Sequence, residues 1–455
     1  MSRNTQGYRW GIFHIRFPLL HMRIEWPELL QGLVVSISTG LALVPLLVMH
    51  FGLTFEEAIA LSMVSSFLIT ASIVFFGEPY APGWITPALP LALTFVLAGY
   101  DTPTERFQVM TALTIDFALI IFFLGITGLG KKLINHIPRA LKAGIILGAA
   151  IAAFKRVFVD DPTNFTDRPW ASGLALAACL IIAFSAPFHR LKEKVPALSF
   201  LSAMGLLPGF IIAGIAGVML GELHIDIEWG ILLPPFDSMW SKASPFAIGW
   251  PGFDMYVAAM PIAFMTYTIF FGDLLTGITV LQKAQKDRPD DPIDINVNRS
   301  HVIVSLRNAL MAIGAPFFPT QGVLWTGIHV IIVERWRQGP EKMQTLFSGL
   351  SAYYLYCIPL FFLILPLITL LKPFLHIALL LTLALTGFAC AYIAMGLSRT
   401  TEERGVALLT SIMLVYFDSW IGLLVGVAAC LLIIGIDSFR DEEKLEKAER
   451  LSPGQ

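Results

Sequence analysis

Ala81-Pro82-Gly83-Trp84-Ile85-Thr86 and Ala315-Pro316-Phe317-Phe318-Pro319-Thr320 both read A-P-x-x-x-T, and each opens an apolar run broken by proline and shorter than its neighbours. Proline removes a backbone donor and disfavours helix for the residue before it. Each stretch therefore predicts extended backbone leading into a half-helix. Non-helical backbone at membrane depth survives only where it is buried in protein or lines a cavity. Two proline-kinked helices would satisfy the same residues. The matching places of the two runs in the chain favour the half-helix reading.

Outward from these two stretches the apolar runs number fourteen: 29–48, 58–76, 82–98, 107–129, 140–157, 171–188, 200–220, 256–281, 300–313, 322–333, 352–371, 374–396, 406–417 and 420–436. A bilayer core takes about 20 apolar residues per helix. The 455 residues are 56% hydrophobic and 14% charged, with mean hydropathy +0.72. Soluble domains carry about 25% charged residues, so this chain lacks the charge to cover a water-facing surface. That excludes a soluble enzyme and a disordered chain. The net charge of −2 offers no basic excess for nucleic acid. The four cysteines, Cys179, Cys357, Cys390 and Cys430, lie in apolar runs and read as packing residues. No cleavable signal peptide is expected, since 1–28 is interrupted by Arg3, Arg9, Arg16, Arg23 and Glu25.

With the N-terminus inside and fourteen alternating spans, 24 of the 31 basic residues fall on the inner side, six fall outside, and Arg307 lies within a span. That is the positive-inside pattern of a multi-pass inner-membrane protein with both termini cytoplasmic. Fourteen divides into two sevens, and because seven is odd the second half must insert inverted, the plan of secondary transporters. The expected fold is thus all-α and polytopic, a 7+7 inverted repeat with broken third and tenth spans. Its parts are an amphipathic cytoplasmic arm (1–28), repeat one (29–220), an external acidic loop (221–252), repeat two (253–436) and a cytoplasmic tail (437–455). The arm mixes Trp10, Ile12, Phe13, Phe17, Leu19 and Leu20 with spaced arginines. It reads either as a short helix on the anionic leaflet or as an ordered cap on the first span.

Several stretches resemble the superfamily that joins nucleobase–ascorbate transporters (uracil and xanthine permeases) with sulfate permeases. Leu43-Val44-Pro45, Ile137-Pro138 with Gly144, and Gly272-Asp273 are similar to nucleobase carriers. Asn298, Asn308 and Phe318-Pro319-Thr320-Gln321-Gly322 are similar to the ninth-to-tenth-span passage of sulfate permeases. The resemblance covers nearly the whole chain in order and spacing. It implies a substrate-carrying core (spans one to four and eight to eleven), a gate or scaffold (five to seven and twelve to fourteen), an elevator-like movement and a homodimer. There are departures. The eighth-span glutamate falls at Ile269, the uracil permease histidine at Leu33, and the tenth-span Glu-Asn-x-Gly is replaced by Gln321-Gly322. The segment 437–455 is too short for the regulatory domain that sulfate permeases carry.

Charges inside spans are few, and each costs about 3 kcal/mol on insertion scales unless paired or wetted. Asp273 is the leading ion-coupling candidate, holding H+ or Na+, against a fixed salt bridge to Arg307. Asp116 is a second coupling carboxylate or a partner for Arg307. Arg307 is a packing ion pair or, facing the site, a ligand for an anion. Half-helix N-termini bring free N–H groups and partial positive charge to the midplane. Around them Thr86, Ala88, Thr320 and Gln321 are the substrate-binding candidates, and Phe271, like Trp84 and Trp325, would stack on a ring or serve as lipid or core packing. Gln321 would pair with a planar amide-like edge, or be satisfied by backbone carbonyls. His301 and His329 stand singly, so no metal and no cofactor beyond the coupling ion is expected. No Ser/His/Asp or paired-carboxylate set suggests an enzyme. The expected function is a secondary transporter slightly favouring a nucleobase-like solute. The alternative is a carrier of a small anion (sulfate, bicarbonate or a carboxylate), or an uncoupled anion channel. Its partners would be that solute, membrane lipid and a second copy.

Overall fold

Thr54, Thr102 and Thr400 each start a helix in the same way. The threonine side chain accepts the N–H of a glutamate three residues on, Glu57, Glu105 or Glu403, whose carboxylate returns to the threonine N–H. These capping boxes satisfy two orphan donors each and set where Phe55–Val74, Pro103–Thr127 and Thr401–Tyr416 begin. Glycines close two helices: Gly52 (φ 68°) ends Val44–Phe51 and Gly128 (φ 67°) ends Pro103–Thr127 in the left-handed region that glycine adopts without penalty.

The computed structural model describes residues 7–39, 43–317, 321–355 and 361–439. Every apolar run predicted above carries helix. Four helices are long and apolar enough to cross a membrane alone: Phe55–Val74, Pro103–Thr127, Phe253–Asp287 and Leu365–Leu397. Two further pairs are bent, Gly130–His136 with Arg139–Asp160 by 93° and Pro169–Phe184 with Ala186–Lys192 by 64°. Shorter apolar helices include Thr86–Gly99, Leu207–Met219 and Ser419–Ile434. The chain is therefore a helical, multi-pass membrane fold.

Packing sorts the helices into two groups. Pro103–Thr127 packs on Val297–Gly314 and on Phe253–Ala284, which also meets Thr326–Trp336. In the second group Arg139–Lys155 packs on Leu375–Leu397 and Thr401–Tyr416, Thr401–Tyr416 on Ser419–Ala429, and Pro169–Phe184 on Leu207–Met219. These are the core and gate, and each mixes helices from both halves of the chain. Gly144 and Gly426 allow the close approach within the gate, since a Cβ on either would lie 2.7 Å from the Thr410 side chain. Pro261 lies inside Phe253–Ala284 and cannot donate to the carbonyl of Val257. The Trp420 indole takes that carbonyl instead, at 2.8 Å, tying the last helix of the gate to the core. Cys179, Cys390 and Cys430 are buried free thiols, as read from the sequence, and Cys357 lies outside the described residues.

The N-terminal arm corrects the helical reading. Tyr8–Trp10 (β1) and Phe13–Ile15 (β2) form an antiparallel hairpin, with Tyr8 opposite Ile15 and Trp10 opposite Phe13. Gly7 and Gly11 take positive φ there (76° and 62°), which breaks a helix and turns the chain. The hairpin caps the C-terminal end of Phe55–Val74, with the Arg16 N–H donating to Val74 O at 2.8 Å and the Trp10 indole to Phe75 O at 2.9 Å. On the opposite flank, Phe236–Ala243 is tied to Phe55–Val74. Lys242 Nζ lies 2.7 Å from Glu57 Oε2, and Ser238 donates to Glu57 Oε1.

Candidate functional site

The two broken segments cross. Gly83–Trp84 (β3) and Gln321–Gly322 (β4) pair antiparallel, Gly83 opposite Gly322 and Trp84 opposite Gln321. Beyond β3 a short turn of helix at Thr86–Ala88 runs into Leu89–Gly99. Beyond β4 the Thr326–Trp336 helix begins. The Trp325 N–H donates to Ala81 O at 2.7 Å, extending the pairing past the strand. Glycine permits the approach. A Cβ at Gly83 would lie 2.8 Å from Trp325 Cβ, and one at Gly322 would lie 2.8 Å from Ile85 Cγ1 and 3.1 Å from Gly83 O. The arrangement is the half-helix one, and the tenth-span strand starts one residue after the A-P-x-x-x-T stretch ends.

Two helices, Val297–Gly314 and Phe55–Val74, hold β4 from behind. Asn308 of Val297–Gly314 donates from Nδ2 to Gln321 O at 2.9 Å and accepts the Gln321 N–H at 2.9 Å. The next-door Arg307 donates from Nη2 to Gly322 O at 2.6 Å and from Nη1 to Ser72 Oγ at 3.3 Å. Ser65 on Phe55–Val74 collects the two facing side chains: Gln321 Nε2 donates to its carbonyl (2.9 Å) and its hydroxyl (3.1 Å), and the Trp84 indole donates to the same hydroxyl at 3.3 Å. Trp84 also meets Phe317 edge-on, centroids 6.1 Å apart. Among the described residues, Gln321 Oε1 and Arg307 Nε have no hydrogen-bond partner although both side chains are buried.

A buried ionic layer lies next to this crossing. Glu78 accepts from Arg299 Nε at 3.1 Å, and Arg299 Nη1 reaches Asp294 at 2.5 Å. Arg299 Nη1 also donates to Ile12 O of the arm at 3.4 Å. The Ala81 N–H donates to His329 Nδ1 at 3.2 Å, which links the stretch leading into β3 to the Thr326–Trp336 helix. Glu78, Arg299, Ser65 and Asn308's clasp were missed from the sequence. Glu78 stands in Gly77-Glu78-Pro79-Tyr80, immediately before the proline-interrupted stretch. A charge at that place was the available signal.

The predicted residues divide. Gln321, Arg307, Thr86 and Ala88 are at or beside the crossing. Thr86 is half-buried and directs Oγ1 to Trp84 O at 3.5 Å, and Ala88 is buried. Thr320 lies outside the described residues. Phe271 is elsewhere, packed with Tyr267 and His301 at centroid distances of 6.1 and 6.0 Å in the wall against Gly130. Asp273 is half-buried on Phe253–Ala284, within electrostatic reach of Cys390 in the gate, and has no ion-pair partner among the described residues. Asp116 is buried in Pro103–Thr127 with Oδ2 unpartnered among those residues. Neither carboxylate pairs with Arg307, whose hydrogen bonds go to a carbonyl and a hydroxyl. The ion-pair reading of Arg307 with either aspartate is thereby corrected. Among the described residues no group of three or more His, Cys, Asp or Glu is placed to hold a metal.

No family model and no curated protein matches the chain. Among solved structures it is similar to the murine Solute Carrier 26 family member A9 (Slc26a9) anion transporter in the inward-facing state. That match has TM-score 0.51 and 13% identity and covers 90% of this chain and 68% of that one. It is also similar to the transmembrane domain of a cyanobacterium bicarbonate transporter, BicA (TM-score 0.49, 15% identity, 89% of this chain and 99% of that one). A further SLC26A9 structure aligns at TM-score 0.49 and 16% identity, over 90% of this chain and 65% of that one. At 13% identity the likeness to the Slc26a9 structure is one of fold, and it spans nearly the whole chain. The distant resemblance read from the sequence is met at that level.

Proposed function

We propose that this chain is a membrane transporter for a small anion, which binds where β3 and β4 cross. The observation that carries the reading is Arg307. Its buried guanidinium contacts β4 at Gly322 O, makes its hydrogen bonds only to neutral oxygens, with the Glu78 carboxylate within electrostatic reach, and keeps Nε unpartnered among the described residues. A buried cation without a bonded carboxylate raises the local potential, and the N-terminal ends of Leu89–Gly99 and Thr326–Trp336 add to it.

The nucleobase preference is weakened at Gln321 and at the stacking ring. A bidentate contact to an amide-like edge needs both the NH2 and the carbonyl of Gln321, yet Nε2 is held by Ser65. Of the three rings available for stacking, Phe271 sits in another cluster, and the Trp84 indole at the crossing is engaged by Ser65 and Phe317. The anion alternative therefore replaces it. The remaining acceptor, Gln321 Oε1, suits an anion that itself carries a proton, such as bicarbonate. That a solved structure of similar fold is described as an anion transporter supports the same class.

Coupling to H+ or Na+ through Asp273, with Asp116 as the second carboxylate, belongs to the proposal. So do fourteen spans in two inverted sevens with the boundaries given above, an inner membrane, and cytoplasmic termini. Elevator movement and a homodimer enter it from the family resemblance. The test is uptake into proteoliposomes of labelled bicarbonate, sulfate and formate against uracil and xanthine, with pH and Na+ gradients imposed separately. Saturable anion uptake is expected. Uracil or xanthine uptake, with the anions failing to compete, overturns the reading.

A further inference from the structure

Away from the crossing, a groove of about 950 Å³ opens between Pro103–Thr127, Phe253–Ala284 and Ser419–Ala429. Its walls are Ile120, Leu124, Met260, Phe264, Leu423 and Val427. The one wall side chain with a polar donor, Trp420, already spends its indole N–H on Val257 O. A peptide or a polar metabolite would strand its own hydrogen-bonding groups there. A hydrocarbon chain strands none.

The polar atoms are concentrated at one end, where Lys132 and His136 line the groove one helical turn apart on Gly130–His136. Both side chains are exposed, and Lys132 forms no salt bridge among the described residues. His136 donates from Nδ1 to Lys132 O at 2.7 Å, which turns Nε2 outward. This end belongs to the basic segment Lys131–Lys142, on the side where basic residues accumulate and where anionic lipid gives the leaflet its negative potential.

We infer that this groove is a binding site for an anionic glycerophospholipid, one acyl chain lying between core and gate and the phosphate resting on Lys132 and His136. Charge complementarity at the mouth and an apolar wall without free donors select that occupant together. The groove touches both helix groups, with Leu141 and Val427 on the gate and Leu124 and Phe264 on the core. A lipid seated there therefore contacts both sides of the boundary that the proposed transport cycle has to move. Binding itself does not rest on the anion reading, and the assay contains no transported anion.

The purified chain is titrated with phosphatidylglycerol or phosphatidylcholine of identical acyl chains, and retained lipid is counted by native mass spectrometry. One phosphatidylglycerol retained in preference to phosphatidylcholine is expected. Lys132→Glu with His136→Glu lowers its retention at least about fivefold, the scale of one cation near an anionic lipid. Leu423→Trp, or Val427→Phe if the first variant misfolds by gel filtration, fills the groove and removes both lipids. Equal retention of the two lipids by the unmodified chain overturns the proposal. So does unchanged phosphatidylglycerol retention in the charge variant, whatever the groove-filling variants do.

Discussion

Asn308 and Gln321 clasp each other through a complete pair of hydrogen bonds. The Asn308 amide donates to the Gln321 carbonyl and accepts from its N–H, both at 2.9 Å. The asparagine side chain thus acts as one more rung for a strand only two residues long. Without it both backbone groups of Gln321 would be buried and unpaired, at about 1–3 kcal/mol each. Asn308→Ala is expected to lower stability by about 2–4 kcal/mol and to abolish uptake, read by thermal unfolding in detergent and proteoliposome flux. An unchanged melting temperature would show that β4 is held by other contacts.

Arg307 makes a forked contact, to Gly322 O and Ser72 Oγ. A lysine ammonium cannot reproduce two diverging guanidinium bonds. Arg307→Lys is expected to keep the charge, retain part of the anion uptake and raise KM about tenfold, the scale of 1.4 kcal/mol. Arg307→Met should eliminate saturable uptake while the protein still expresses and elutes as folded. Uptake equal to that of the unmodified chain in Arg307→Met would remove this residue from anion binding.

Gly83 tests the crossing sterically. A methyl group there would lie 2.8 Å from Trp325 Cβ, an atom fixed to the backbone, so one strand must shift. Gly83→Ala should cost about 1–3 kcal/mol and depress maximal uptake. Gly99, where a Cβ meets nothing within 4 Å, is the control position. Equal behaviour of Gly83→Ala and Gly99→Ala would mean that the crossing tolerates separation.

Asp273 is the coupling candidate because it is half-buried, within electrostatic reach of Cys390, and without an ion-pair partner among the described residues. Asp273→Asn removes the charge and retains the shape. Gradient-driven accumulation should disappear while anion exchange across the membrane continues. Accumulation at the unmodified level would take Asp273 out of the mechanism, leaving Asp116→Asn as the next variant to measure.

In the loop before Val297–Gly314, Arg288 is buried and donates to Trp336 O, Met343 O and Gln344 O at 2.6, 3.1 and 2.9 Å. It also holds Asp290 at 2.9 Å from Nε, and this hydrogen bond keeps the Asp290 carboxyl below the usual carboxylate range. A carboxyl depressed in the folded state stabilises above its unfolded value near 4, and that contribution is lost as pH falls through the folded value. Asp290 is about half exposed, with 48% of its side chain accessible, so the contribution is under about 1 kcal/mol. The stability difference between the unmodified chain and Asp290→Asn should be present at pH 7 and shrink as pH falls below about 4. A difference that grows on acidification would reverse the assigned sign.

Proline at Pro82, Pro316 and Pro319, together with the span pattern around them, was enough to place the two breaks and the helical membrane class, because a missing N–H and a hydrophobic run act locally wherever the chain goes. Local information also explains the errors. The A-P-x-x-x-T echo pointed to the right segments but not to the pairing, since β3 lies inside its copy and β4 just after the other. Register is chosen by which glycines let two backbones approach, Gly83 and Gly322. The arm shows the same limit: its aromatic and basic residues suit a surface helix, and only the carbonyls of Val74 and Phe75 gave its hairpin partners.

For the site, single residues were legible and their partners were not. Arg307 was conspicuous as a charge inside a span, but pairing it with Asp116 or Asp273 assumed that opposite charges meet. In the fold it is committed to a neighbour's carbonyl and to Ser72, 235 positions away in sequence. Composition determined that this chain lives in a membrane, and proline determined where its helices break, both through interactions a residue has with solvent or with its own backbone. Which groups face one another at the break was decided by packing between helices from opposite halves of the chain, and no stretch of sequence contains that contact.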